Sequence, residues 1–242
     1  MKTLKLLAIV ALLAVTSWSQ EAKPQKTRPP YEHRGFFFSA GTGVAYTDLT
    51  ARQKDSDESW EESTRRDFSG WSYPAFDFKF GKSIANLVVL HSQFELAVYS
   101  GEADYRYSEK SYSDGVNIFG VSFPKVNSEE KKSLDSYAFS FAGGLGLMVY
   151  PFRNPRSVMN GFYVGFSSGM DIFLANSKDS DGDIDLASAY TQYEVGKDWW
   201  VSETWSAGIA LAFTLHSFVE DGASNSGGDR GTFKFLIRLT RG

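Results

Sequence analysis

The chain has 242 residues, 42% of them hydrophobic, 22% charged and 16% aromatic, with a formal net charge of −4. A mean hydropathy of −0.28 excludes a bundle of transmembrane helices, though not a barrel, whose strand residues face inward by turns and can be polar there. The absence of cysteine rules out disulfides, Cys-ligated zinc, thiol catalysis and a lipidated N-terminal cysteine.

The first segment reads as a secretory signal peptide. Lys2 and Lys5 form its basic region, Leu6 to Val15 is unbroken apolar sequence, and Ser17 and Ser19 suit cleavage after Ser19. The apolar stretch is too short for the roughly twenty residues of a spanning helix. Residues 1–19 are therefore expected to be removed, making the mature chain two charges more acidic. That acidity, with no basic patch in the sequence, argues against a nucleic-acid partner. Residues 20–34 are polar and contain Pro24, Pro29 and Pro30, which predicts an extended periplasmic leader.

From Gly35 onward large apolar residues alternate with small or polar ones. A strand sends successive side chains to opposite faces, so the pattern predicts strips with one apolar face. Gly35–Thr47 puts Phe36, Phe38, Val44 and Tyr46 on one face and Phe37, Ser39 and Thr47 on the other. Ser72–Gly81 opposes Phe76, Phe78 and Phe80 to Ala75, Asp77 and Lys79. In Leu87–Ser100, Leu90, Phe94 and Val98 oppose His91, Gln93 and Glu95. Ser136–Tyr150 alternates Tyr137, Phe139, Phe141, Leu145 and Leu147 with small residues. Gly161–Leu174 opposes Phe162, Val164, Phe166 and Ile172 to Ser167 and Asp171. In Asp185–Gly196, Tyr193 and Val195 oppose Tyr190, Gln192 and Glu194. Trp205–Phe218 opposes Ile209, Leu211, Phe213 and Leu215 to Thr214 and His216. Thr232–Arg241 opposes Phe233, Phe235, Ile237 and Leu239 to Lys234 and Arg238.

Connections vary in the same rhythm. Asp48–Trp71, Gly101–Asp135, Ala175–Ile184 and Val219–Gly231 are long or rich in charge, Gly, Ser and Asp; the intervening connections are compact. Long outer loops, short periplasmic turns and an even strand count predict an all-β, eight-stranded antiparallel up-and-down transmembrane barrel over residues 35–242. Aromatics fall at the strand ends, where a bilayer interface would lie. Phe36, Phe80, Tyr150, Phe162, Trp199, Trp200 and Trp205 are expected at the periplasmic end, and Trp71 and Tyr73 at the outer end.

The stretch Glu194–Phe213, EVGKDWWVSETWSAGIALAF, ends one strand in a Gly-Lys-acid-Trp-Trp turn and starts the next at a Trp. With the strand pattern, it resembles the eight-stranded outer-membrane barrels, the group of the OmpA transmembrane domain and OmpX-like proteins. The resemblance covers residues 35–242. It implies a Gram-negative outer-membrane location, lipid and lipopolysaccharide as surroundings, and the barrel assembly machinery as a partner in biogenesis. Two features depart from it. The chain finishes Leu239-Thr240-Arg241-Gly242 rather than on the aromatic that machinery recognises, and it carries no peptidoglycan-binding domain of the OmpA kind.

Eight strands leave an interior just wide enough for side chains. Asp77, Lys79, His91, Glu95, Asp171, Glu194, Lys234 and Arg238 are predicted to fill it as a salt-bridge plug, since an unpaired buried charge costs several kcal/mol. Around the Lys82–Asn86 turn, Lys79 is expected near His91 and Asp77 near Gln93. Asp179, Asp181, Asp183 and Asp185 alternate as calcium ligands would, but a Gly at the fourth position and Tyr190 at the twelfth depart from an EF-type loop, so a solvated turn is expected. The segment Gly101–Asp135, with Tyr105, Tyr107, Tyr112, Ile118, Phe119 and Phe123, suits either contacts with an unidentified extracellular ligand or extension of the strands. Catalysis needs a histidine, an acid and a serine converging at the outer rim. Only His216 has the height, and Ser217 points the other way. The expectation is a non-enzymatic envelope protein with no cofactor; a lipid-A-modifying enzyme and a narrow ion channel are the alternatives.

Overall fold

The computed structural model describes residues 35–57, 60–84, 87–118, 121–152, 154, 156–177, 184–218 and 225–242. Of these, residues 55–57, 112–118, 121–124, 126–127 and 225–226 are described by their backbone alone. The predicted signal peptide and leader, residues 1–34, lie outside the described residues, as do Asp179, Asp181 and Asp183.

Eight strands run β1 (Gly35–Asp57), β2 (Trp60–Ile84), β3 (Val88–Ile118), β4 (Val121–Val149), β5 (Phe162–Ser177), β6 (Ile184–Trp200), β7 (Trp205–Phe218) and β8 (Asn225–Arg241). Each pairs antiparallel with the next, and β8 pairs with β1, so the sheet closes into a barrel. Closure removes the free sheet edges over the shared height of the strands.

Side-chain directions follow the alternation except at a bulge in β2, where Ser72 and Ala75 both face inward and Tyr73 and Pro74 are exposed. Phe37, Ser39, Asp77, Lys79, Gln93, Asp171, Gln192, Thr214 and Arg238 are buried inside, and Leu90, Val98, Tyr137, Leu145, Leu211 and Ile237 are exposed outside. Outward residues Phe36 to Tyr46 cover about 26 Å of height, taking a ~3.4 Å rise per residue and a ~40° tilt. That matches a bilayer's apolar band.

The strands are much longer than their apolar alternation. Asp48–Trp71, predicted as a loop, instead supplies the ends of β1 and β2, and Gly101–Asp135 extends β3 and β4, one of its two expected readings; residues 58–59 and 119–120 lie outside the described residues. β3 and β4 pair as far as Ile118↔Val121, and β2 follows β3 to Trp60↔Ser111. The reason is physical: hydrophobic alternation marks only the part that meets lipid, whereas above it both faces are wet and the pattern fades while pairing continues. β6 likewise runs on to Trp200, and β8 begins at Asn225, ahead of the predicted Thr232. A sheet of β1–β4, flanked by the start of β8 as far as Lys54↔Asn225, thus stands above one side of the barrel.

The register of β2 with β3 also differs from expectation. Lys79 faces Gln93, Asp77 faces Glu95, and His91 faces Gly81. β2 continues to Ile84, opposite Val88, so the tighter hairpin moves the pairing on by two residues.

Candidate functional site: the filled lumen and the charged outer face

Three strata fill the lumen. At the periplasmic end Phe37, Val89, Met148, Tyr150, Tyr163, Ala210 and Leu236 pack together. At the outer end Leu49, Phe68, Tyr99, Phe173 and Ile184 form a second apolar layer, with Phe68 edge-on to Phe173 at 5.6 Å between centroids. Ionic and polar side chains occupy the space between.

The lower ionic group centres on Glu194. Its Oε2 accepts from Lys79 Nζ at 2.8 Å, and its Oε1 accepts from Arg238 Nη1 at 2.8 Å and from the Tyr163 hydroxyl at 2.7 Å. Lys79 also donates to Asp77 at 2.5 Å, and the Arg238 guanidinium lies 4.4 Å over the Tyr163 ring. Arg238 Nε stands 3.4 Å from Asp198 Oδ1, an ionic contact rather than a hydrogen bond, while Asp198 Oδ2 accepts from Tyr150 at 3.0 Å. Gly196 makes this possible, because a side chain there would run into the Tyr163 ring.

The middle group joins Lys234 to both oxygens of Glu95 at 2.5 Å and to Gln192, which accepts from Thr214 at 2.8 Å. Gln93 donates to Asp77 at 2.8 Å and to Glu95, tying the two groups together. Above them Arg230 donates to Asp171 at 2.7 Å and Ser140 donates to the same carboxylate at 2.7 Å. The Arg230 guanidinium lies 4.5 Å over the Phe173 ring, at the underside of the apolar roof.

Of the eight lumen residues read from the sequence, seven enter these groups. His91 points inward but neither ring nitrogen has a hydrogen-bond partner. Asp198, Arg230, Tyr150 and Tyr163 belong to the network and were missed. Asp198 and Arg230 fell in segments read as connections. Tyr150, expected at the lipid interface, is buried inside, because it follows the outward Val149 that ends β4 and so takes the inward direction. Among the described residues each lumen lysine or arginine has a carboxylate within 3 Å.

His216 lies inside, with Nδ1 3.5 Å from Asp171 Oδ2 in a geometry that makes no hydrogen bond, and Ser217 is exposed outside. The two therefore face opposite ways. Asp185 is exposed, and among the described residues no group of acids or histidines is arranged to hold a metal.

Aromatics on the outer wall include Phe36, Trp71, Tyr73 and Trp199, all well exposed, with Phe80, Phe162, Trp200 and Trp205 partly covered. Phe38 packs on Phe80 at 5.1 Å and Tyr46 on Trp71 at 5.0 Å. At the periplasmic turn Trp200 Nε1 donates to Asn160 at 3.1 Å. Gly161, at φ +80°, accepts a backbone bond from Asp198 at 2.9 Å, which holds the Gly-Lys-acid-Trp-Trp segment, the end of β6 rather than the expected turn, against the β4–β5 connection.

Above the lipid-facing band, register sorts the outer face of β1–β4 into rows. Tyr46, Trp71, Ser100 and Tyr137 lie side by side. The next outward rows are Asp48, Ser69, Glu102 and Asp135, then Thr50, Asp67, Asp104 and Ser133. Above them Arg52, Arg65, Arg106 and Lys131 form one unbroken row of cations. This corrects the reading that the chain has no basic patch: four residues scattered over 80 positions meet only through strand pairing. Like charges directly opposite each other oppose sheet formation by ~0.2–1 kcal/mol per pair. Arg65 turns down to Asp67 at 2.8 Å.

No protein-family model matches the chain, and no curated protein does either. Among solved structures it is similar to the outer-membrane protein AlkL in lipid bilayers, at 12% identity, 92% of this chain, 95% of that one and a TM-score of 0.41. OprG from Pseudomonas aeruginosa is similar at 11% identity over 87% of this chain and 96% of its own, TM-score 0.39. The attachment invasion locus protein Ail of Yersinia pestis, solved with a heparin analogue, matches at 10% identity over 86% of this chain and 99% of its own, TM-score 0.40. The architecture of this chain rests on its own closed register.

Proposed function

We propose that the chain is an integral outer-membrane barrel without catalytic activity, closed through its lumen, which acts at the cell surface through the sheet formed by β1–β4. One observation carries this reading: a ring of strands that is apolar and exposed outside and ionic, paired and capped inside. Water would leave that outer wall unsatisfied, and lipid would leave unpaired lumen charges unsatisfied; the observed arrangement suits lipid outside with protein filling the interior. The apolar layers above and below the ionic column support a structural plug rather than a pore. The opposite facing of His216 and Ser217 supports a non-enzymatic role over lipid-A modification.

The test uses the mature chain in planar bilayers together with mass spectra of lipid A from cells with and without the protein. The reading expects no stepwise conductance and unchanged lipid A. Steady single-channel openings would replace the plug with a channel, and altered lipid A would make the protein an enzyme.

A further inference from the structure

The row Arg52, Arg65, Arg106 and Lys131 has no explanation in the stability of the sheet. Neighbouring strands lie ~4.8 Å apart, so the row is about 14 Å long and concentrates positive charge on an otherwise acidic protein. Arg52, Arg106 and Lys131 are exposed, and among the described residues no carboxylate forms an ion pair with any of them. Five carboxylates lie in the two rows beneath, and Arg65 reaches down to one of them, Asp67.

We propose that this row binds the phosphate and carboxylate groups of the core sugars of lipopolysaccharide in the surrounding outer leaflet. The inference rests on the outer-membrane reading and names a ligand for its surface sheet. Direction supports it first. The four side chains share the outward face that continues downward into the lipid-exposed wall, so they meet the headgroups of the molecules whose chains touch that wall.

Height agrees with direction. The row stands six residues above the Tyr46–Trp71–Ser100–Tyr137 row, about 15 Å at a ~3.4 Å rise and ~40° tilt, which is above the acyl boundary and level with sugar. Chemistry is the third support. Three guanidinium forks and one ammonium suit phosphate and carboxylate oxygens. Asp48, Asp67, Glu102, Asp104 and Asp135 below repel anions at their own level, which directs binding to the upper row.

The experiment follows thermal unfolding of the detergent-folded full mature chain by its shift in gel migration. Probes are purified rough lipopolysaccharide with a phosphorylated core, the same material dephosphorylated, and lipid A alone. Phosphorylated lipopolysaccharide is expected to raise the midpoint of the native chain, with the other two probes raising it less. The triple variant R52Q/R106Q/K131Q is expected to lose that rise, with apparent affinity at least about tenfold weaker. Without lipopolysaccharide it should melt no lower than the native chain, because opposed like charges have been removed. R106K alone should retain binding.

An equal rise for the native and triple-variant chains would overturn the proposal. So would retention of the native chain on a sulfated glycan such as heparin with no response to lipopolysaccharide. Failure of the barrel reading is separate, since the native chain would then show no heat-modifiable migration before any probe is added.

Discussion

Replacing Glu194 by alanine removes one carboxylate that two buried cations share. Lys79 keeps Asp77 at 2.5 Å, whereas the carboxylate left to Arg238 is Asp198, 3.4 Å away, beside its neutral acceptors Tyr163 and Thr240. The Tyr163 hydroxyl loses its acceptor as well. Removing one partner of a buried ion pair costs ~3–5 kcal/mol, because the other charge stays desolvated. Two cations are affected but each retains a carboxylate, so about 4 kcal/mol is expected. Glu194→Gln keeps an acceptor for Tyr163 and drops only the charge, and about half that loss should follow. The assay is a urea titration of the chain folded in phospholipid vesicles, with the folded fraction read from unheated gel samples. A Glu194→Ala loss below ~1 kcal/mol would show that the lumen charges are solvated by water, and the plug argument would fail.

Two further substitutions probe other layers. Phe173→Ala removes the ring that packs on Phe68 and lies over Arg230, so a loss of ~3–5 kcal/mol is expected in the same titration. The ionic column and periplasmic layer stay in place, so bilayers containing this variant should remain non-conducting. Gly161→Ala puts a side chain at φ +80° and against the Asp198 carbonyl, for an expected loss of ~1–3 kcal/mol; unchanged stability would mean the periplasmic turn does not hold β4–β5 to β6.

Inside and outside were legible from period-two alternation, even in Asp185–Gly196, where the outward residues Ala187, Ala189 and Thr191 are small. That alternation survives because a strand in lipid has only one choice of face for Leu, Ile and Phe. What failed were the strand ends. Beyond Tyr46 and Tyr137 the sheet enters water and sequence no longer separates its faces, so long strands looked like loops. Arg230 was lost for that reason, and Asp198 because β6 runs on past Gly196 at the periplasmic end. Residue partners failed differently: pairing depends on where each hairpin turns, and a shift at Ile84 moved every β2–β3 pair. The cation row was illegible altogether, because Arg52, Arg65, Arg106 and Lys131 become neighbours only once three registers are fixed.

Withdrawal of detergent from the purified mature chain probes the central claim, that the exposed Leu, Ile, Phe and Tyr wall has lipid as its solvent. The polypeptide should aggregate as detergent falls below its micellar concentration and stay dispersed when phospholipid replaces it. A folded monomer persisting in plain buffer would contradict the account.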